Sequence, residues 1–267
     1  MDLLTHRIPE IRITPIPRLA QGGKWRVEAM RSYSKDLLLW FTRGQGRITI
    51  AGTTRGYGAH NAVFIPAGTM HGFEVSNLVY GSAVFIPRET TLTLPEHPTH
   101  LRIRDANSQS ELSMTLDALQ KELDGSRPDR IRAAHHHAGL LSVWLKRQIL
   151  LHETDNASPD AGQKLLQRYT ELVEAEYRSN KTVAEYAEIL GVTPTHLSRV
   201  CNKACGRPAS SILTDRVLFE ARRLLTETDT PIKDVAFGLG FASAAYFTRA
   251  FQHHTGRTPS SFRNQTK

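Results

Sequence analysis

Between Thr182 and Phe262 one short pattern is written twice, and this duplication limits the chain to a small set of helical folds. Val183, Ala187 and Leu190 fall at i, i+4 and i+7, and Ile232, Ala236 and Leu239 repeat those offsets, so each copy opens with a short one-faced helix. Gly191 and Gly240 then supply the left-handed turn that ends a helix, and Pro194 and Ser243 suit the start of a second one. The small Ala187 and Ala236 let the two helices cross closely. The copies are offset by 49 residues up to the glycine and by 50 after it, so Leu197 matches Phe247, Arg199 matches Arg249 and Gly206 matches Gly256. Helix-turn-helix units are expected at about 182–204 and 231–255. The stretch from Pro208 to Thr226 has helical spacing, and as a rod of about 28 Å it spaces two readers for adjacent major-groove faces about 34 Å apart.

This segment resembles the DNA-binding domain of the AraC/XylS family of bacterial transcription regulators. The resemblance is carried by Tyr186-Ala-Glu-Ile-Leu-Gly191, His196-Leu-Ser-Arg199, Glu220-Ala-Arg-Arg-Leu-Leu225, Leu239-Gly-Phe241, Tyr246-Phe-Thr-Arg249 and Gly256-Arg-Thr-Pro259. It implies a double-stranded DNA operator, RNA polymerase and a small-molecule effector as partners. Leu172-Val-Glu-Ala-Glu-Tyr177 and Val183-Ala-Glu-Tyr-Ala187 are similar to the branch that senses small aromatic acids such as hydroxybenzoate and hydroxyphenylacetate.

At 267 residues two domains are expected. The net charge of +8 points to a polyanionic partner, and residues 193–267 hold 11 Lys/Arg against 5 Asp/Glu, which puts the excess on the reader helices and their connector. No run of eighteen apolar residues occurs, and the chain from Met1 to Arg7 lacks a signal-peptide pattern, so a cytoplasmic protein without a membrane partner is expected. Two cysteines, Cys201 and Cys205, make no disulfide framework, and Cys201 matches Phe251 as a core position.

The first hundred residues contain short apolar runs between glycine-rich turns: Trp25–Met30, Asp36–Thr42, Gly46–Ala51, Asn61–Pro66, Gly72–Ser76 and Leu78–Ile86. They predict a β-barrel or jelly roll over 1–104, and Gly44 to Gly52 with Phe64 to Phe73 is similar to the cupin pattern. Metal-binding cupins place two histidines and a glutamate before that first glycine; here those positions fall near Arg31, Tyr33 and Leu37, and only His71 remains. No metal or cofactor is therefore expected, and a cupin enzyme is the weaker reading. Arg31 and Tyr33 offer a cation and a hydroxyl to a carboxylate, or are solvated strand residues beside a His71 that bonds a turn. Trp40 can stack on a flat ring if it points inward, in competition with Leu39 and Phe41.

Residues 105–158 predict a helical dimerisation or linker segment. One stripe runs through Leu112, Leu116, Leu119 and Leu123; a second helix, about 129–152, is apolar around much of its circumference and needs cover from the barrel, the first helix or a second subunit. The His135-His136-His137 run cannot converge on one ion from a helix. Thr154 to Pro159 is the polar linker, and 159–267 is the DNA-binding domain.

The early exposed residues of each second helix should face the groove: Thr195, Ser198 and Arg199 in the first unit, and Ala244, Ala245, Thr248 and Arg249 in the second. These positions also match the base-contacting ones implied by the resemblance. The expected whole is an α+β two-domain protein: a cupin-like sensor, a helical segment, and an all-α double helix-turn-helix, acting as a ligand-responsive activator and homodimer. The rival is a constitutive DNA-binding protein whose barrel is only a dimerisation scaffold.

Overall fold

The structure, a computed structural model, describes residues 10–152 and 160–264. The expected linker at Thr154–Pro159 lies outside them. Strands β1 (Arg12–Pro15), β2 (Asp36–Arg43), β5 (Asn61–Ile65), β7 (Tyr80–Ile86) and β8 (Thr99–Arg102) form one antiparallel sheet in the order β1-β7-β2-β5-β8. Strands β3 (Gly46–Ile50), β4 (Thr53–Tyr57) and β6 (His71–Phe73) form a second, ordered β4-β3-β6. The two sheets face each other across Leu37, Leu39, Phe41, Val63 and Phe85 on one side and Ile48, Tyr57 and Phe73 on the other. Phe41 stacks on Tyr57 at 3.9 Å. The N-terminal architecture is thus a two-sheet sandwich, and no ladder of the described residues closes it into a barrel.

The larger sheet is covered on both faces. Leu38, Trp40, Phe64, Val84 and Leu101 point away from the small sheet into a second core built with α3 (Ala106–Asp124) and α4 (Arg130–Leu151). This explains why β2 is buried at six successive positions from Asp36 to Phe41 and reads as a continuous apolar run instead of an alternating one. From α3 come Leu112, Leu116 and Leu119; from α4 come Ala134, Ala138, Leu141, Trp144 and Leu145. Asp105 caps α3 by accepting from the Ser108 amide, and Trp144 Nε1 and Gln148 Nε2 donate to Ser108, which ties the two helices together. The other side of α4 leaves Leu140, Val143, Leu150 and Leu151 exposed.

The expected strand Trp25–Met30 is instead a turn of helix, α2 (Trp25–Glu28), following α1 (Ile16–Leu19). Six residues with apolar side chains at Trp25, Val27, Ala29 and Met30 cannot by themselves choose between helix and strand, and here Gly22 and Gly23 at positive φ turn the chain so that Trp25 meets distant helices. The strands β1, β4 and β8, absent from the sequence reading, are all sheet edges.

The C-terminal half is helical: α5 (Ala161–Glu176), α6 (Val183–Ile189), α7 (Pro194–Cys205), α8 (Ala209–Glu227), α9 (Ile232–Gly238), α10 (Ala244–Thr255) and α11 (Pro259–Asn264). A single core joins them through Leu166, Tyr169, Tyr186, Leu197, Cys201, Ile212, Leu225, Phe247 and Phe251, and it also takes in Met30 and Met70 from the sandwich. Burial pushes the Cys201 thiol up to about 12, as befits a small core residue. No described helix is long and apolar enough to cross a membrane.

Candidate nucleic-acid interface and effector site

Both repeats fold as helix, turn, helix. Thr182 and Glu185 cap α6 reciprocally, with the Thr182 amide donating to Glu185 Oε2 at 2.7 Å. Gly191, at φ 71°, turns the chain, and Thr193 caps α7 by accepting from the His196 amide at 3.1 Å. In the second copy Gly240, at φ 83°, makes the turn and Ser243 accepts from the Tyr246 amide at 3.1 Å. Leu197 with Cys201 and Phe247 with Phe251 bury one face of each reader helix, which fixes the opposite face outward.

On that outward face Thr195 and Arg199 are exposed in α7, with Ser198 half-buried. The Arg199 guanidinium lies 3.2 Å from His196 Nδ1. In α10 Ala245 and Arg249 are exposed, whereas Ala244 is half-buried against the core and Thr248 donates its hydroxyl to the Ala244 carbonyl at 2.8 Å. Among the described residues neither Arg199 nor Arg249 has a carboxylate within ion-pair distance, so both cations are available to phosphate or base. Tyr246, exposed beside Ala245, joins this face although the sequence reading quoted it only within a motif and not as groove-facing. The repeat aligns it with His196, a second polar-tipped ring at the same helical position. Between the readers α8 runs unbroken for 19 residues, about 28 Å.

Within the sandwich Arg31, Tyr33 and His71 come together. Arg31 and His71 pair across an antiparallel bridge, each amide donating to the other's carbonyl at 3.0 and 2.7 Å. The Arg31 guanidinium is completely buried. Its Nη1 donates to the Val27 carbonyl at 2.6 Å and its Nε to the Tyr33 hydroxyl at 3.0 Å, while Nη2 has no partner. The guanidinium also lies over the rings of Tyr33 and Phe73. No described carboxylate pairs with it. Burial, then the Arg31 charge, lowers the His71 pKa to about 3, so the ring is neutral. Its Nδ1 lies 2.9 Å from the Thr69 carbonyl and must carry the proton, which leaves the unpaired Nε2 as an acceptor.

Trp40 does not belong to this group. Leu39 and Phe41 take the inter-sheet face, and alternation sends Trp40 to the other side, against α3 and α4. The solvated-strand alternative for Arg31 is likewise set aside by its burial. A cleft of about 520 Å³ is walled by Ile50, Thr53 and Arg55 of the small sheet, His100, and Gln163 and Gln167 of α5; Arg31, Tyr33 and His71 do not line it. Ile50 pairs with Thr53 on one side and with His71 on the other, so cleft wall, His71 and Arg31 form one cross-strand row facing the sandwich interior. No group of three or more His, Cys, Asp or Glu among the described residues could hold a metal ion.

A helix-turn-helix, doubled and carried on a rigid connector, defines a DNA-binding class of fold, and the family comparison agrees: residues 186–265 match the model described as "Helix-turn-helix domain". Residues 186–265 therefore carry a helix-turn-helix domain, and the relatives that match this part of the chain are named as HTH-type transcriptional regulators. The Bacillus subtilis (strain 168) protein called uncharacterized HTH-type transcriptional regulator YtdP is 31% identical over 127 residues, covering 46% of this chain and 16% of its own length. The uncharacterized HTH-type transcriptional regulator YijO of Escherichia coli K12 is 28% identical over 166 residues, covering 62% of this chain and 56% of its own. The chain therefore spans only part of these relatives. Among solved structures, ToxT from Vibrio cholerae O395 is similar with a TM-score of 0.45 at 12% identity, covering 97% of this chain and 98% of that one.

Proposed function

We propose that this protein is a transcription regulator that binds a double-stranded operator through both helix-turn-helix units and is switched by a small carboxylate received at Arg31. The observation that carries the sensor half is the Arg31 guanidinium, fully buried with no acidic partner and with Nη2 unpaired. A buried charge is costly unless it is compensated, and an incoming anion supplies the compensation. The neighbouring His71 Nε2 asks for a donor, so the best-fitting ligand carries a hydroxyl or amide hydrogen as well as its carboxylate. Its flat or apolar body would occupy the cleft at Ile50 and Thr53, in the same row. Hydroxylated aromatic monocarboxylates fit all three demands. This reading is of a regulator and not of an enzyme.

A homodimer is part of the proposal. Leu140, Val143, Leu150 and Leu151 leave one side of α4 apolar and exposed, a surface suited to a second copy. Contact with RNA polymerase, and activation instead of repression, rest on the family resemblance alone. The rival reading, a constitutive DNA binder on an inert scaffold, has no account of an uncompensated buried arginine.

Titration calorimetry of the wild type and Arg31→Ala against hydroxybenzoates, hydroxyphenylacetates and their non-hydroxylated parents tests the sensor. One ligand per subunit is expected for the wild type, weaker for the parents and lost in the variant. No binding from the whole panel would remove the ligand class, and binding unchanged in Arg31→Ala would remove Arg31.

A further inference from the structure

The rung between Arg31 and His71 has two sides. Arg31 and His71 face the sandwich interior, while the residues immediately before them, Met30 and Met70, are buried in the core of the C-terminal helices. A single pair of segments therefore touches both the buried Arg31 guanidinium and the core of the C-terminal helices. The same rung is fixed to α2, because Arg31 Nη1 donates to the Val27 carbonyl at 2.6 Å and the Ala29 carbonyl at 3.3 Å. Gly72 permits this closeness: a Cβ there would lie 2.7 Å from the Glu28 carbonyl oxygen.

From α2 the contacts continue into the connector between the two readers. Trp25 packs edge-on against Phe219 of α8 at 5.7 Å and against Phe262 of α11 at 6.0 Å. Arg26 pairs with Glu227, the last residue of α8, at 3.0 Å. Glu227 is also 3.6 Å from Arg223, which pairs with the buried Glu220, which in turn meets Arg216 and, through it, Glu174 of α5. An ion-pair chain thus runs along α8 from Arg216 to Glu227, ending on Glu174 of α5 at one end and on Arg26 of α2 at the other. It lies on the element that sets the separation of the readers.

We propose that the Arg31–His71 rung together with α2 is the coupling element of this protein: what happens to Arg31 is transmitted through Met30, Met70, Trp25 and Arg26 to α8 and α11. A carboxylate taken by the free Nη2 leaves Nη1 on the Val27 and Ala29 carbonyls, so occupancy stiffens α2 and with it the grip on α8. The regulatory meaning of this coupling rests on the anion reading given above, but the mechanical coupling is tested without any ligand.

The test is amide hydrogen exchange on the full-length protein, comparing wild type, Arg26→Glu, Glu227→Arg and the double exchange of the two charges. Coupling is reciprocal, so loosening the latch at α8 must be felt at the rung. Exchange of the Arg31 and His71 amides, which bond each other's carbonyls, is expected to rise about tenfold in each single variant and to return toward wild type in the double variant. A rise confined to 25–28 and 219–227, with the rung amides unchanged, would overturn the proposal. Arg31→Met approaches from the other side and should raise exchange at the C-terminal end of α8 and in α11. If that buried substitution unfolds the chain, the surface charge exchange alone decides. Absence of anion binding would remove the effector reading while leaving this result intact.

Discussion

At the scale of single residues, the consequential side chains are charged groups without a counter-charge. Arg199 stands exposed and unpaired by acid on α7, so Arg199→Ala should cost about 1–3 kcal/mol on the operator and relax preference at one base pair. Fluorescence anisotropy on the operator and on single-pair variants checks this; an equal loss on random DNA would make Arg199 a phosphate contact. His71 gives a pH signature. Its pKa falls from 6.5 to about 3 on folding, so the unfolded chain takes up a proton that the folded one refuses between those values. Stability is complete above pH 6.5 and declines as pH drops toward 3, by about 1.4 kcal/mol per pH unit once the unfolded histidine is protonated. His100, lowered to about 4 by burial and then by Arg55, acts in the same direction. Urea unfolding at pH 7, 6 and 5 should show this slope, and it should be shallower in His71→Gln.

At the scale of elements, the two copies of the repeat invite a matched substitution. Gly191 and Gly240 both sit at positive φ, but a Cβ on Gly191 meets open space whereas one on Gly240 would press on the Arg178 carbonyl. Gly191→Ala should cost about 1–2 kcal/mol for the left-handed backbone alone, and Gly240→Ala distinctly more; denaturant melts of the two variants compare them. The helical elements were legible because apolar spacing, a turn glycine and a cap coincide in each copy. Edge strands were not: β4 is Thr-Thr-Arg-Gly-Tyr and β8 is Thr-His-Leu-Arg, short runs with little apolar alternation to read. Nor was α2, whose identity comes from Trp25 docking onto residues some two hundred positions away. The Arg31, Tyr33 and His71 grouping could be seen from the spacing of a familiar barrel pattern, but their burial and the missing counter-ion are tertiary facts. Trp40 illustrates the limit, since a strand with both faces buried carries no alternation to say which way its ring points.

At the scale of the whole molecule, α8 is one unbroken rod, and the two helix-turn-helix units at its ends are expected to dock on one face of a duplex, in successive major grooves about 10 base pairs apart. Inserting about five base pairs between the half-elements turns the second to the far side and should abolish joint binding in footprinting; unchanged affinity would mean that one unit docks alone. The sandwich carries a different constraint, set by the sheet that is covered on both sides. A fragment ending at Arg104 would keep every strand described yet lose α3 and α4, baring Leu38, Trp40, Phe64 and Val84 along one continuous face. Such a piece would adhere to its own copies before it could bind anything else. A soluble N-terminal fragment must therefore extend through Leu151, because α3 and α4, the expected dimerisation or linker segment, also roof the outer face of the larger sheet.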